Sequence, residues 1–482
     1  MVNIIPRSLC TAGLILISLI LVEKSNGMTE QQRKAEIQQT DKLLLRQTGK
    51  AVSDNSPDLL KIPEQYLESS DFKIANQAPT IDFALITGLV PEFFPEDNKG
   101  MWSQWSEVTS GPNGMFYLAT GDHRCKNAKV YITRFDPITK EQKIAVDVAE
   151  TCGWKKGQFV DGKIHGRMDI LDDGRLVGMT WLGQPVKQEF LDNGYVAGGH
   201  LLTHDIFSGK TEYLGQPFLG DSWPYYSVDP KTGILFAIGH EGNFMAYNIK
   251  QRKLLYGGLP PRGITWNPRA MLLDKKTTMV YGTNTPGKPH SFRPTEEDYY
   301  FVSFDYGTNA FKQLACKVPA NPATGLSSDL RAYAEQRSEG GFFWSMDYQG
   351  TLFKFYPESQ KVELEGVNWG ESGVYVASLA VSPKGRYLYY LVGSHTSSHK
   401  WGGPVVQYDT KKKTRKVLAF LRDYYQNKYG WFLGGSFGVE LSRDGSILVI
   451  HANGRFTKPI KGGSSGTPAV FSVHIPRPER EE

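Results

Sequence analysis

Two short segments of the chain set a histidine and an arginine beside glycine: Gly121-Asp122-His123-Arg124 and Lys163-Ile164-His165-Gly166-Arg167. An imidazole exchanges protons near neutral pH, whereas a guanidinium stays charged and grips a carboxylate through paired N–H groups. Glycine next to each pair lets a bulky ligand approach the backbone. Both pairs stand where a strand meets a loop, a position that can face a central channel, and Arg124 and Arg167 are candidate ligand contacts there. A lone histidine is commonly a hydrogen-bonded structural side chain; two His-Arg pairs, each where a strand meets a loop, weigh against that reading.

A third segment, Asp221-Ser222-Trp223-Pro224-Tyr225-Tyr226, offers aromatic faces for a sugar ring, with packing between sheets as the structural alternative. Arg262 and Arg269, in Pro261-Arg262-Gly263-Ile264-Thr265-Trp266-Asn267-Pro268-Arg269, are candidate carboxylate clamps. His240, in Gly239-His240-Glu241-Gly242, joins them as a substrate-contact candidate, while His200, His204, His395 and His399 read as structural. No Cys-x-x-Cys spacing supports a zinc site, and metal coordination is not expected.

Seven repeated units position these residues. Each opens on a turn such as Asp172-Asp173-Gly174, Asp229-Pro230-Lys231-Thr232-Gly233 or Ser442-Arg443-Asp444-Gly445 and continues into an apolar strand. A second alternating strand follows, such as Val130 to Asp136, Phe244 to Asn248 or Val405 to Asp409. A repeat of roughly fifty residues is the size of a four-stranded blade with its loops. One blade cannot bury both faces, so neighbours stack and the ring closes. The predicted fold is all-β: a seven-bladed β-propeller over residues 83–482, preceded by a helical or irregular extension. A β-sandwich followed by a second β domain would not need the same unit seven times.

Residues 1–27 read as an export signal: Arg7, an apolar run from Ala12 to Val22 and small residues at Ser25-Asn26-Gly27. The run is short for a membrane span. Residues 28–82 form a polar leader. The expected location is therefore secreted or periplasmic, with no membrane span after cleavage. Of the four cysteines, Cys10 falls in the signal, Cys125 and Cys152 are able to pair in an oxidising compartment, and Cys316 is left over. The net charge of +5 comes without a basic run suited to a nucleic-acid backbone, since Lys411-Lys412-Lys413 sits in a hairpin turn. A mild positive balance suits an anionic polymer.

At Gly121 to His123, at Lys163 to Arg167, and at the Ser-Trp-Pro-Tyr run with its Val-Asp-Pro turn (Ser222 to Pro230), the chain resembles the propeller-type polysaccharide lyases that act on ulvan. The resemblance covers mainly the first three or four blades. It implies β-elimination at a uronic acid: a cation quenches the carboxylate, a base removes the C5 proton, and an acid protonates the leaving oxygen at C4. It carries His123 and His165 into the acid-base positions, Tyr225 or Tyr226 toward the tyrosine position and Arg269 into that of the neutraliser. The segment between His123 and His165, with Cys125 and Cys152, is longer than that family's spacing, which bears on the substrate more than on the chemistry. No cofactor is required, and the structural metal ions of some members find no matching ligands here. The expected partner is an anionic polysaccharide, met by a monomer. The alternative is a non-catalytic secreted propeller that binds glycan or protein through the same face. A metal-dependent hydrolase ranks last for want of a carboxylate-rich centre.

Overall fold

The computed structural model describes residues 49–69, 71–86, 89, 102–122, 124–286, 294–395, 397–456 and 466–480, and helical positions 32, 35 and 39. The expected export signal at residues 1–27, most of residues 28–48 and His123 lie outside the described residues.

Seven sheets, each built on four antiparallel strands, surround a central channel as blades 1 to 7, at residues 102–147, 163–215, 225–258, 272–317, 330–367, 380–420 and 432–474. The turns recognised in the sequence join the first and second strands of each blade. In blade 3 the Asp229 carboxylate accepts from the Lys231 N–H (3.0 Å) and the Thr232 hydroxyl (2.7 Å), and Gly233 takes a φ of +72° that an ordinary side chain resists. The strand that follows, Ile234–Ile238, is buried at every position because other blades cover both faces. Burial falls toward the rim, where Ala310–Lys317 alternates between exposed and covered positions.

Aromatic side chains fill the spaces between blades. Phe301 and Phe355 stack at 3.9 Å between blades 4 and 5, and Phe236, Phe244, Trp266, Phe304 and Phe311 form a cluster between blades 3 and 4. Such rings bury large apolar areas.

The ring closes through the N-terminal part of the chain. Thr80–Leu85 pairs antiparallel with Ala469–His474 as the fourth strand of blade 7, and Val52–Asp54 adds a fifth. Phe72–Ile74 pairs in parallel with Thr414–Phe420 at the edge of blade 6. This corrects the expected boundary: the leader from Val52 onward belongs to the sheets. Alternation explains it, for Ile81, Phe83 and Leu85 join a buried cluster, with Phe83 stacked on Phe471 at 4.9 Å. On the other face Asp82 receives Lys140 Nζ of blade 1 (2.9 Å) and His474 Nε2 of blade 7 (2.6 Å). Burial works against that charge, and its hydrogen bonds still hold the Asp82 carboxyl below its ordinary value.

Cys125 and Cys152, which their positions allowed to pair, are separate thiols, as is Cys316. Cys125 has a φ of +60° and its buried sulfur accepts from Gln184 Nε2 (2.8 Å), whereas Cys152 ends the short helix Val148–Thr151. Burial pushes the Cys152 thiol up to about 12 and Cys316 up to about 11, so neither ionises readily. Among the described residues no helix is long and apolar enough to cross a membrane.

Candidate active site

The innermost segment of blade 2 carries Lys163, His165, Arg167 and Asp169 at every second position. The strand proper is Lys163–Ile164, and the chain runs on past a bend at Gly166 along the inner edge of the blade, with these four side chains making the contacts described below. The segment is seated by close backbone contacts: a Cβ on Gly121 would lie 2.2 Å from the Gly162 carbonyl, and one on Gly166 would lie 2.4 Å from Cδ1 of Tyr226. Both glycines are thus required by proximity, and Lys163 and His165 come to the mouth of the channel while Arg167 and Asp169 reach its floor.

At the mouth, His165 is 2% exposed, and its Nε2 lies 2.7 Å from Nη1 of Arg269. A guanidinium only donates, so Nε2 accepts and the ring is neutral, with its proton on Nδ1. Arg269 is set by Asn267, whose Oδ1 accepts the Arg269 N–H (2.9 Å) while its Nδ2 donates to the Leu330 carbonyl of blade 5 (2.8 Å). Arg331, from the inner strand of blade 5, donates through Nε to the Tyr375 hydroxyl (2.7 Å) and through Nη1 to the Arg269 carbonyl (3.4 Å). Lys163 Nζ sits between two indoles, 4.4 Å from the ring of Trp105 and 4.3 Å from that of Trp181.

Further rings complete the wall. His240 stacks on Trp181 at 6.4 Å, and Tyr348 stacks on Tyr375 at 4.7 Å. His395 is exposed as a residue, yet its imidazole contacts Trp105 (5.2 Å), Phe437 (5.0 Å) and Tyr375 (6.0 Å). Among the described residues neither Lys163 nor Arg331 makes an ion pair with a carboxylate. The charge balance is therefore basic, and the titratable groups show it. Burial first, then the Arg269 guanidinium, pushes the Lys163 amine and the His165 ring well below their ordinary values. The same two causes bring His240 and His395 down to about 4. The mouth thus holds neutral imidazoles beside the Arg269 and Arg331 guanidinium groups, an arrangement that accepts an anion and, next to it, a proton.

The floor is built the other way. Arg167 contacts four carboxylates from four blades: Glu107 (3.2 Å), Asp169 (3.2 Å), Glu335 (2.7 Å) and Glu440 (3.4 Å). Lys275 adds a second cation on Glu335 at 2.5 Å. The Tyr225 hydroxyl donates to Glu107 (2.7 Å) and meets the hydroxyl of Tyr333. Burial opposes the charge on Arg167, but its carboxylates outweigh that and hold it protonated. Burial would likewise raise Glu335, but Arg167 and Lys275 bring it down to about 2, whereas Glu440, less well compensated, is raised by burial to about 7.

Of the residues singled out in the sequence, the structure brings His165, Arg269 and His240 together at the mouth. Arg167 and Tyr225 lie on the floor, engaged with carboxylates. Tyr226 and Trp223 are fully buried between blades 2 and 3, and Tyr226 extends its hydroxyl toward the Val177 carbonyl (3.5 Å). Tyr225 points into the channel and Tyr226, one residue on, points out of it. Arg124 is exposed and pairs with Asp122 (2.6 Å), and Arg262 is an exposed loop residue. Arg331, Tyr348, Tyr375, Trp105, Trp181, His395 and Phe437 were not singled out as site residues. The every-second-residue pattern from Lys163 to Asp169, and again Arg331, Tyr333 and Glu335, is the signal that marks channel-facing positions.

Among the described residues no group of three or more His, Cys, Asp or Glu side chains is arranged to hold a metal ion. No family model and no curated protein matches the sequence. Among solved structures the chain is similar to U3-55K, with a TM-score of 0.48 and 11% identity over 82% of this chain and 98% of that one. It is similar to the WD40 repeats of RRP9 at the same TM-score and identity, over 83% of this chain and 99% of that one.

Proposed function

We propose that the chain is an exported polysaccharide lyase that cleaves a uronate-containing polymer by β-elimination. The observation that carries this reading is the contact between Arg269 and a neutral His165, in a mouth where, among the described residues, Lys163 and Arg331 make no ion pair with a carboxylate. In the reaction, Arg269 takes the uronate carboxylate, with Arg331 behind it. Quenching that charge makes the C5 proton removable, and a guanidinium that binds the developing enolate better than the ground state lowers the barrier. His165 Nε2 accepts the C5 proton, the C5–H electron pair becomes the C4–C5 double bond, and the C4–O4 bond breaks. O4 takes a proton from a tyrosine hydroxyl. Tyr375 and Tyr348 stand at the mouth for this step, in place of Tyr225 and Tyr226. His123, outside the described residues, is not needed for the assignment of the base.

Incubation with a panel of uronate polymers, followed by the ultraviolet absorbance of unsaturated ends, tests the proposal. A rising signal is expected with at least one polymer. His165→Ala and Arg269→Met should each lower kcat/KM by about a hundredfold or more, with the fold retained by circular dichroism. Retention of a polymer without release of unsaturated ends would replace the lyase by a binding propeller.

A further inference from the structure

In the empty protein the imidazole of His165 has one working nitrogen. Nδ1 is buried and, among the described residues, finds no hydrogen-bond partner, while Nε2 is covered by the Arg269 N–H at 2.7 Å. The charged and titratable groups that face the ring are Lys163 from its own strand, Arg269 from blade 4, Arg331 from blade 5 and His395 from the loop of blade 6. Blades 1 and 7 supply uncharged rings, Trp105 and Phe437, and blade 2 adds Trp181. The described groups around the ring are thus basic or uncharged. To protonate Nε2 in this state, the guanidinium must be displaced and a second cation set against it.

An incoming carboxylate reverses both conditions. It offers Arg269 a two-pronged acceptor, better than a single ring nitrogen, and it brings negative charge beside the imidazole. We infer that His165 and Arg269 form a ligand-gated base: the guanidinium caps Nε2 until a carboxylate draws it away, and the uncovered nitrogen then becomes able to take a proton. This rests on the lyase reading for the nature of the ligand and adds how its base is controlled. A base masked in this way is quiet in the empty protein and is exposed only where a uronate is seated.

The probe is glucuronate, which has the carboxylate but no bond to cleave. Calorimetric titration in buffers of different ionisation enthalpy counts protons taken up on binding. At about pH 5.5 an uptake of about one proton is expected, and at about pH 8 close to none. His165→Gln should bind glucuronate without uptake, and the methyl ester of glucuronate should bind poorly. Polymer turnover gives a second measurement. The acid limb should be present in kcat, which reports the complex, and weak in kcat/KM, which reports the free enzyme. Arg269→Lys, a shorter cap, should bring that limb into both. Binding or cleavage with no proton uptake and the same acid limb in both parameters would overturn the gating while leaving the lyase. Neither glucuronate binding nor cleavage of any uronate polymer would overturn the lyase reading, and the gating with it.

Discussion

The mouth and the floor of the channel hold their cations in opposite ways, although a single strand of blade 2 feeds both. On the floor, Arg167 is matched by Glu107, Asp169, Glu335 and Glu440, so charge is balanced within the protein and the group ties blades 1, 2, 5 and 7 together. At the mouth, Lys163 and Arg331 have aromatic rings, a hydroxyl and a main-chain oxygen where the floor has carboxylates. A buried cation already satisfied by its own fold has little left to offer a ligand. One left without an anion is stabilised when a ligand supplies it. Neighbouring basic residues of one strand therefore take different work, and the partners across the channel decide which.

Removing Arg167 gives the sharpest break in this comparison. Arg167→Met takes the shared cation away from four carboxylates, and a loss of about 3–5 kcal/mol in unfolding free energy, or failure to fold, is expected in thermal or urea melts. The same kind of change at the mouth should cost activity instead: Arg269→Met is expected to leave stability within about 1 kcal/mol of the parent while cleavage falls as proposed above. Equal losses of stability at both levels would erase the distinction between them.

A finer test uses pH. Glu440 is raised by burial to about 7 from the ordinary carboxyl range, so the folded state holds its proton more tightly than the unfolded chain does. Its contribution to stability is full below the unfolded value and fades as pH climbs to the folded one. Glu440→Gln should accordingly match the parent at about pH 4 and exceed it by about 1–3 kcal/mol at about pH 8. The smallest effect is expected at Lys163. Its amine is held well below its ordinary value, first by burial, so the unfolded chain binds the extra proton and stability is lost as pH falls. Lys163→Met should raise stability by about 1 kcal/mol near neutral pH, and the gain should shrink as pH approaches the ordinary lysine range.

The seven-fold repeat could be read from the sequence because each blade repeats its turn chemistry, and a turn with Asp, Pro and Gly at fixed offsets does not depend on distant contacts. The closing strand was not legible. Thr80–Leu85 is one short alternating run behind a polar leader, and only its partner near the C-terminus, Ala469–His474, turns it into a sheet element. The same split holds in the site. His165 and Arg269 stood out as basic residues in unusual local settings, whereas Arg331 sits within the ordinary strand Leu330–Tyr333 and Tyr348 follows one. Their importance comes from neighbours brought in by other blades, Arg269 and Tyr375 among them, which local sequence does not encode. Tyr225 and Tyr226 show the cost of reading a pair as one unit. A one-residue step changes the face, and with it the neighbours, from acids on the floor to packed apolar side chains between blades.

Thr80–Leu85 is made early in synthesis, yet its partner Ala469–His474 is among the last strands to follow. Asp82 and His474 touch although 392 residues separate them in sequence, so a chain leaving the ribosome carries an unlatched edge until Ala469–His474 has emerged. Contacts that close so large a loop form late and slowly. Joining the two ends of the propeller, ahead of Val52 and after His474, through a short linker and opening the chain between two blades instead would make that latch a neighbour-to-neighbour event, and refolding after dilution from denaturant should then speed up without any change at the channel.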